Sequence, residues 1–386
     1  MIGVEGQWVL SLSLDSQELN IPPTDLIEFS IIEEAGNLLP TWSLQFYSTD
    51  YTFTKRWNEG AALTVSWGRD RHSLKPVILQ VVNPSMVPAG DGRLVYAATG
   101  VLDALAYVNT PHVRTLGPVD ALTIIKTIVS NYFTWDSNNI TKSQDTQAYI
   151  QPNTSDKKFV DHLSRHAYLK GSYFGTAITA DGRFRAVDAK AVLTEDAKYS
   201  IGLRLDPNSN YGKELTMISA PQYSSNSPLS NMLIGYGVEK PMVDTTTGTR
   251  IVHKPKPNIV AAQATKLPRS VAVERRTSVP VRLSTSHDVN YHVAAANNYM
   301  GLMNLSNESV TVLLECGLET ISVWDTVQYT ALAPGNDGKA VDEIHSGKYV
   351  VGLVSRACTG IGQNRFLTRV RMFRESTNYI KGDLHA

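Results

Sequence analysis

Cysteine is nearly absent from this chain: there are two in 386 residues, Cys316 and Cys358. So small a supply excludes a disulfide-built scaffold, and the distance between the two excludes a compact cysteine metal cluster. Both read as buried thiols of a protein made in a reducing compartment. Surplus charge is missing too. Lys plus Arg and Asp plus Glu each number 36, for a formal net charge of zero. A general nucleic-acid or membrane-surface binder needs a basic excess, so neither class fits, whereas a chain without net repulsion suits association. No apolar run approaches the roughly 18 residues of a membrane-crossing helix. Residues 1–7 carry neither the charged nor the apolar stretch of a signal peptide. The expectation is therefore a chain that does not insert into membranes. What the sequence does have is enough apolar material (42%) for real cores, in a chain long enough for two to four domains.

Most of that apolar material is arranged with period two. Leu10, Leu12 and Leu14 alternate with Ser11, Ser13 and Asp15; Trp42, Leu44 and Phe46 alternate with Ser43 and Gln45; Leu63, Val65 and Trp67 alternate with Thr64 and Ser66. Residues 88–93 form a Pro-, Gly- and Asp-rich turn, and a strand from Leu94 to Leu102 follows it. Residues 1–110 thus read as a first all-β domain. Four strand-length runs recur late in the chain, at Val310–Glu315, Val323–Tyr329, Gly347–Val354 and Phe366–Phe373. In the second, Val323, Val327 and Tyr329 are expected on one face and Trp324, Thr326 and Gln328 on the other. In the last, Phe366, Thr368, Val370 and Met372 share a face opposite Arg369 and Arg371. These runs point to a small antiparallel barrel with one wet face.

Between the two β regions the period changes. Pro118 is expected to open a helix carrying Leu122, Ile125, Val129 and Tyr132. Ser155, with Asp156 after it, is a good N-cap for a second helix that presents Phe159, Leu163 and Ala167 and stops by Gly171. Asp181-Gly182 marks a hairpin between Tyr173–Ile178 and Arg183–Val187. Residues 111–206 therefore form an α+β domain. The second β domain is split, 207–242 and 309–376, with a strand expected at Asn231–Val238. Residues 243–308 are an insertion, a basic loop plus a helix near Asp288–Met303, and 377–386 are a tail. The fold class is α+β, mainly β: two similar antiparallel β-barrel domains with an intervening α+β domain and a helix-containing insertion.

This order, with Thr154-Ser-Asp-Lys-Lys-Phe-Val-Asp-His-Leu163 opening the helix-hairpin unit, Ser346-Gly-Lys-Tyr-Val-Val351 late in the chain and a closing Leu367-Thr-Arg-Val-Arg371 strand, resembles the central baseplate hub of contractile-tailed bacteriophages. The group covers T-even-type hubs and late-control tail proteins and is similar to the base of type VI secretion spikes. The resemblance spans about residues 5–376. It implies that both β domains are tube-type barrels and that the protein is a homotrimer. Three subunits would then offer six barrels and join a threefold central spike to a sixfold tail tube around a DNA channel. Implied partners are the spike or needle, the tail tube or a tube-initiator protein, baseplate wedge proteins and the tape measure protein. DNA would pass without specific binding, and the protein would be assembled in the host cytoplasm and reside in the virion baseplate. Because this chain stops at Ala386 without an appended oligosaccharide-binding barrel, lysozyme domain or β-helical needle, the resemblance further implies that a separate polypeptide does the puncturing.

Candidate chemistry is sparse, and neither an enzyme nor a cofactor is expected. His162 and His166 have the i, i+4 spacing of a metal pair, but the run His-Leu-Ser-Arg-His lacks the glutamate of a zinc peptidase and no third ligand is near. Residues 334–339 (Pro-Gly-Asn-Asp-Gly-Lys) lack the spacing and following helix of a phosphate loop, and Gly360-Ile-Gly362 reads as a turn. Glu33-Glu34 and Asp342-Glu343 are sequence neighbours, so on a strand they point to opposite faces and make no glycosidase pair. The one charge feature with a possible partner is Arg275-Arg276 in the insertion, which suits either an acidic baseplate or spike surface or a solvated loop. An alternative function is a carbohydrate- or receptor-binding tail-tip β protein. It requires exposed aromatic loops, whereas Trp8, Trp42 and Trp67 fall on inward strand positions.

Overall fold

The computed structural model describes residues 2–4, 8–22, 24–68, 75–136, 140–202, 214–225, 237–244, 249–253, 276–278, 282–284, 294–295, 298, 302, 305, 308–314, 321–333, 340–360 and 365–374. The first region holds β1 (Ile2–Val4), β2 (Trp8–Leu14), β3 (Gln17–Glu18), β4 (Leu26–Glu34), β5 (Thr41–Ser48), β6 (Ala62–Gly68), β7 (Lys75–Pro88) and β8 (Leu94–Leu102). Their alternation does what period two dictates. Leu10, Leu12, Leu14, Trp42, Leu44, Phe46, Leu63 and Val65 are all buried. An aromatic knot fills the middle: Phe46 stacks on Tyr96 at 5.3 Å, and Trp57 meets both edge-on. Burying each such ring contributes about 2–3 kcal/mol.

The middle region contains α1 (Leu105–Asn109), β9 (Pro111–Asp120), α2 (Ala121–Val129), β10 (Thr134–Asp136), β11 (Thr146–Ser155), α3 (Asp156–His166), β12 (Phe174–Ile178), β13 (Arg183–Asp188) and α4 (Ala189–Thr194). Pro118 does not open α2. It lies in β9, and the helix starts three residues on, where the Asp120 carboxylate accepts the Thr123 N–H at 3.1 Å. Burial would raise the Asp120 pKa, yet hydrogen bonds from Thr123 and Ser143 outweigh it and hold the carboxyl below its ordinary value. Helix α3 begins after Ser155, the expected N-cap position, although the Ser155 hydroxyl makes no capping hydrogen bond, and the helix buries Phe159 and Leu163. The β12–β13 hairpin turns at Gly182, whose φ of +76° suits glycine.

The second β region holds β14 (Tyr199–Gly202), β15 (Glu214–Thr216), β16 (Gln222–Ser225), β21 (Glu308–Leu314), β22 (Thr326–Thr330), β23 (Gly347–Thr359) and β24 (Arg365–Arg374). Between β16 and β21 lie β17 (Gly237–Asp244), β18 (Arg250–His253), β19 (Arg276–Ser278) and β20 (Arg282–Ser284). Two sequence expectations change here. Val323 and Trp324 belong to a turn, Trp324 at φ +72°, so both are buried and strand β22 starts only at Thr326. Strand β17 pairs with β18, β19 and β20 in a separate four-stranded sheet, so the insertion contains strands as well as loop. Of the expected Asn231–Val238 strand, residues 231–236 lie outside the described residues, as does most of the expected 288–303 helix; residues 294–295, 298 and 302 are helical.

Neither β region is a closed barrel among the described residues. Their strands instead join one 15-stranded sheet with the path β1-β2-β6-β7-β8-β5-β4-β23-β22-β14-β15, from which β24, β21 and β16 branch off β23. The reason is the length of β23. Its first four residues pair with β22, and Leu353–Thr359 pair antiparallel with Glu28–Glu34 of β4. One strand thereby crosses from the second region into the first. Packing follows: Cys358 and Phe366, from the far ends of β23 and β24, are buried in the core of the first region. Burial pushes the Cys358 thiol up to about 12, so it is unreactive at neutral pH. Cys316 lies outside the described residues.

Candidate functional site

The two β regions repeat one strand order. In the first, the path is β2-β6-β7-β8-β5-β4; in the second it is β14-β22-β23-β24-β21-β16. Taken in chain order, β2, β4, β5, β6, β7 and β8 correspond one to one with β14, β16, β21, β22, β23 and β24. The central pairings are antiparallel in both. Even the irregularity recurs: β7 carries an extra residue against β8 between Val81 and Asn83, and β23 carries one against β24 between Val351 and Leu353. The repeat departs at one end, where β2–β6 is antiparallel but β14–β22 is parallel.

Where β4 meets β23 the two repeats fuse into one ribbon of eight strands, β7-β8-β5-β4-β23-β24-β21-β16. One face of the ribbon is the buried core. Its opposite face is made of small side chains in register: Asn83 lies opposite Thr99, Thr99 opposite Ser43, Ser43 opposite Ser30, and Ser30 opposite Ala357. Ser30 and Ser43 share a hydrogen bond of 2.8 Å. The same face carries charges of both signs, Glu28 and Glu34 from β4 and Arg369 and Arg371 from β24, with Arg365 at the register position opposite Thr359. Part of this surface is a shallow hollow of about 350 Å³ lined by Ser30, Ile32, Thr41, Ser43 and Thr99. The stretch from Asn83 to Ala357, made of small uncharged side chains, has few handles for phosphates or for any ligand demanding convergent polar groups.

The junction is locked from below. Arg356 on β23 and Glu33 on β4 face inward, each side chain 2% exposed, and pair at 2.7 Å. The Glu33 carboxylate also accepts the Ala180 N–H at 2.8 Å, and Arg356 donates to the Ile321 carbonyl. One ion pair therefore ties the first region, the second region and the middle hairpin together. Glu33 and Glu34 do part to opposite faces, as strand geometry requires. A second latch joins the middle and second regions. Arg185 bonds Asp325 at 3.0 Å and Asp136 at 3.3 Å, and Lys198 bonds Asp325 at 3.2 Å. The adjoining cleft of about 320 Å³ is lined by these groups. Both cations, Arg185 and Lys198, are already matched, and Glu195 and Asp196 add further carboxylates to the lining.

Other sequence candidates fall apart. The rings of His162 and His166 lie 4.7 Å apart on α3, but among the described residues no group of three His, Cys, Asp or Glu is placed to hold a metal. Asp342 pairs with His345 rather than with an acid; burial would raise its pKa, but the His345 hydrogen bond holds it low. Arg275 and residues 334–339 lie outside the described residues, and Arg276 is described only as the first residue of β19, paired with Gly237. No helix among the described residues is long and apolar enough to cross a membrane. The junction itself was not foreseen, since neither β4 nor the far half of β23 stood out in the sequence.

No known protein family matches the sequence, and no curated protein does. Solved structures do match. A tail protein from Neisseria meningitidis aligns over 96% of this chain and 97% of its own length, with a TM-score of 0.62 at 9% identity. The 43 kDa tail protein of prophage MuSo2 from Shewanella oneidensis covers 95% and 96%, with a TM-score of 0.57 at 9% identity. A type VI secretion component from E. coli, described as similar to the T4 tail proteins gp27 and gp5, covers 96% of this chain and 77% of its own, with a TM-score of 0.51 at 9% identity. The chain has, end to end, the fold seen in these phage tail and secretion proteins.

Proposed function

We propose that this chain is a structural tail protein, the homotrimeric baseplate hub of a contractile phage tail. The observation that carries the reading is the β4–β23 junction: two repeats of one strand order already joined edge to edge within a single chain. Three copies then supply six repeats, so a threefold spike on one side can meet a sixfold tube on the other. The repeats act as tube-type barrel domains with the 111–206 region beside them, and Arg275 and Arg276 of the 243–308 insertion are the proposed contacts for acidic partners. The spike, the tail tube or its initiator, the wedge proteins and the tape measure protein are the partners this reading implies.

The hydroxyl-rich face of the ribbon is the natural channel wall. Its charges are of mixed sign, with no broad basic patch in the Asn83-to-Ala357 stretch, so DNA can slide past without being held. The role is mechanical rather than enzymatic: the hub holds the spike, transmits sheath contraction to it and lets the genome through. Light scattering on the purified protein tests the reading. A mass of three chains is expected, and a stable monomer at all concentrations overturns it.

A further inference from the structure

We propose that the helical part of the insertion is a clasp between the middle and second regions. Asn298 grips the middle region, its neighbours root in the second, and the grip holds only while the two regions stay together. Among the described residues of the insertion, Ala294, Ala295, Asn298, Leu302 and Leu305 are helical. The spacing of 294, 298, 302 and 305 puts those four on one stripe. Ala294, Asn298 and Leu305 are buried, at 0%, 3% and 3% exposure. A primary amide in the middle of a buried stripe needs polar partners.

It finds them at the end of α3. A helix leaves its last carbonyls without helical partners. Here the N–H groups that follow are spent elsewhere: Tyr168 donates to Asp145 at 3.1 Å and Lys170 to the Gln144 side chain at 3.0 Å. Asn298 Nδ2 donates instead, to the carbonyls of Ala167 at 2.8 Å, Arg165 at 3.1 Å and Ser164 at 3.3 Å. Its Oδ1 accepts the Phe174 N–H at 2.9 Å, at the start of β12. One buried side chain closes a helix end and a strand edge together. Further along that edge the β4–β5 turn takes over, the Gly36 N–H donating to the Thr176 carbonyl at 2.7 Å.

The root lies in the other region. Leu305 belongs to, and Leu302 packs against, the core that Val310, Val312 and Leu314 of β21 share with Ala177 and Val187 of the β12–β13 hairpin. Strand β21 itself begins at Glu308, directly after this stripe. The stripe thus runs from a strand of the second region to β12, while Arg185 of β13, the other strand of the same hairpin, is bonded to Asp325 at 3.0 Å. Clasp and latch hold one hairpin to one region through different strands. Neither opens fully without straining the other, so their openings are coupled. Such coupling is reciprocal. A partner that draws on the insertion therefore loosens the middle region from the second; that consequence rests on the hub reading, and the clasp itself does not.

Hydrogen exchange read by mass spectrometry on the full chain at neutral pH tests the clasp. Asn298→Asp keeps the size and the acceptor but turns the donor into an oxygen facing the carbonyls of Ser164, Arg165 and Ala167. Exchange in peptides covering 172–176 and 294–305 should then run about tenfold faster. The deciding readout is at the latch: residues 322–326 should speed up about threefold, with β5 and β8 unchanged. In the reverse direction, Asp325→Asn weakens the latch without altering the clasp and should speed exchange at 294–305 about threefold. Where either variant does not fold, Lys198→Met, at a side chain 53% exposed, weakens the latch more gently and is read at the same peptide. A rise confined to 172–176 and 294–305 makes Asn298 a local plug and overturns the clasp. Exchange at 294–305 that ignores a weakened latch overturns it too. These readouts do not depend on chain number, so their failure is distinct from failure of the trimeric reading.

Discussion

The first β region is laid down by strands consecutive in sequence, β2 to β8, whereas the second reaches the same strand order with a long insertion between β16 and β21. That one order survives both routes shows that the neighbours of a strand, not its distance along the chain, define the unit. The interiors differ as well. The first is dry and aromatic, with Phe46, Tyr96, Phe53 and Trp57 in mutual contact. The second gathers polar aromatics at its rim: Tyr223 shares a 2.8 Å hydrogen bond with Tyr329 and stacks on His345 at 4.4 Å, and Arg374 lies over Tyr349 at 4.5 Å. The wetter rim lies beneath β16.

The largest effect should come from cutting the two regions apart. Arg356→Met leaves Glu33 buried without its partner and should cost about 3–5 kcal/mol in urea denaturation. The double change Glu33→Met with Arg356→Met should recover most of that loss. If the single change is neutral, the junction is not what holds the ribbon together.

A smaller contrast compares one glycine from each region. A Cβ on Gly100 would sit 1.8 Å from the Gln80 carbonyl oxygen and 2.7 Å from the Trp42 ring. That carbonyl also accepts from Trp42 Nε1 at 3.2 Å, so nothing there can yield. Gly100→Ala should cost about 3 kcal/mol. The three atoms nearest a Cβ on Gly352 all belong to the Phe373 ring, a half-buried side chain that can swing aside. Gly352→Ala should cost about 1 kcal/mol. Equal thermal shifts for the two would contradict this ranking.

The channel face predicts a gain of function. Ser43→Lys and Thr99→Lys together should make the protein retain double-stranded DNA in gel shift, with retention falling steeply as salt rises, while the unaltered protein retains none. Retention by the unaltered protein would remove the sliding-wall idea. The smallest effect concerns acid. Burial raises the Asp342 pKa, but the hydrogen bonds from the His345 side chain and backbone, the His345 charge and the Ile344 N–H together outweigh it and hold the carboxyl below its ordinary 3.8. Its contribution is therefore present above pH 3.8 and lost as the pH falls through the lower folded value. Asp342→Asn should flatten that limb of the melting profile below pH 3.8; an unchanged limb would show that His345 contributes nothing there.

The sequence was most legible where one face of a strand is wet. Strands β2, β5, β8 and β24 alternate cleanly, and Phe366, Val370 and Met372 are buried as their spacing requires. The α3 cap and the Asp181-Gly182 hairpin were equally clear. Strand β4 was not, because its inward Glu33 breaks the apolar period and is explained only by Arg356, distant in sequence. Strand β7 was hidden by Pro76, Pro84 and Pro88, residues tolerated there because they lie along an edge. Both missed strands belong to the ribbon on which the function turns. The strands easiest to read build the cores; those hardest to read make the joints.

Single-particle electron microscopy of the purified assembly tests the central claim most directly. The account predicts a threefold ring of six β lobes around an open hole. A ring of any other symmetry, or particles of two lobes with no hole, would contradict it.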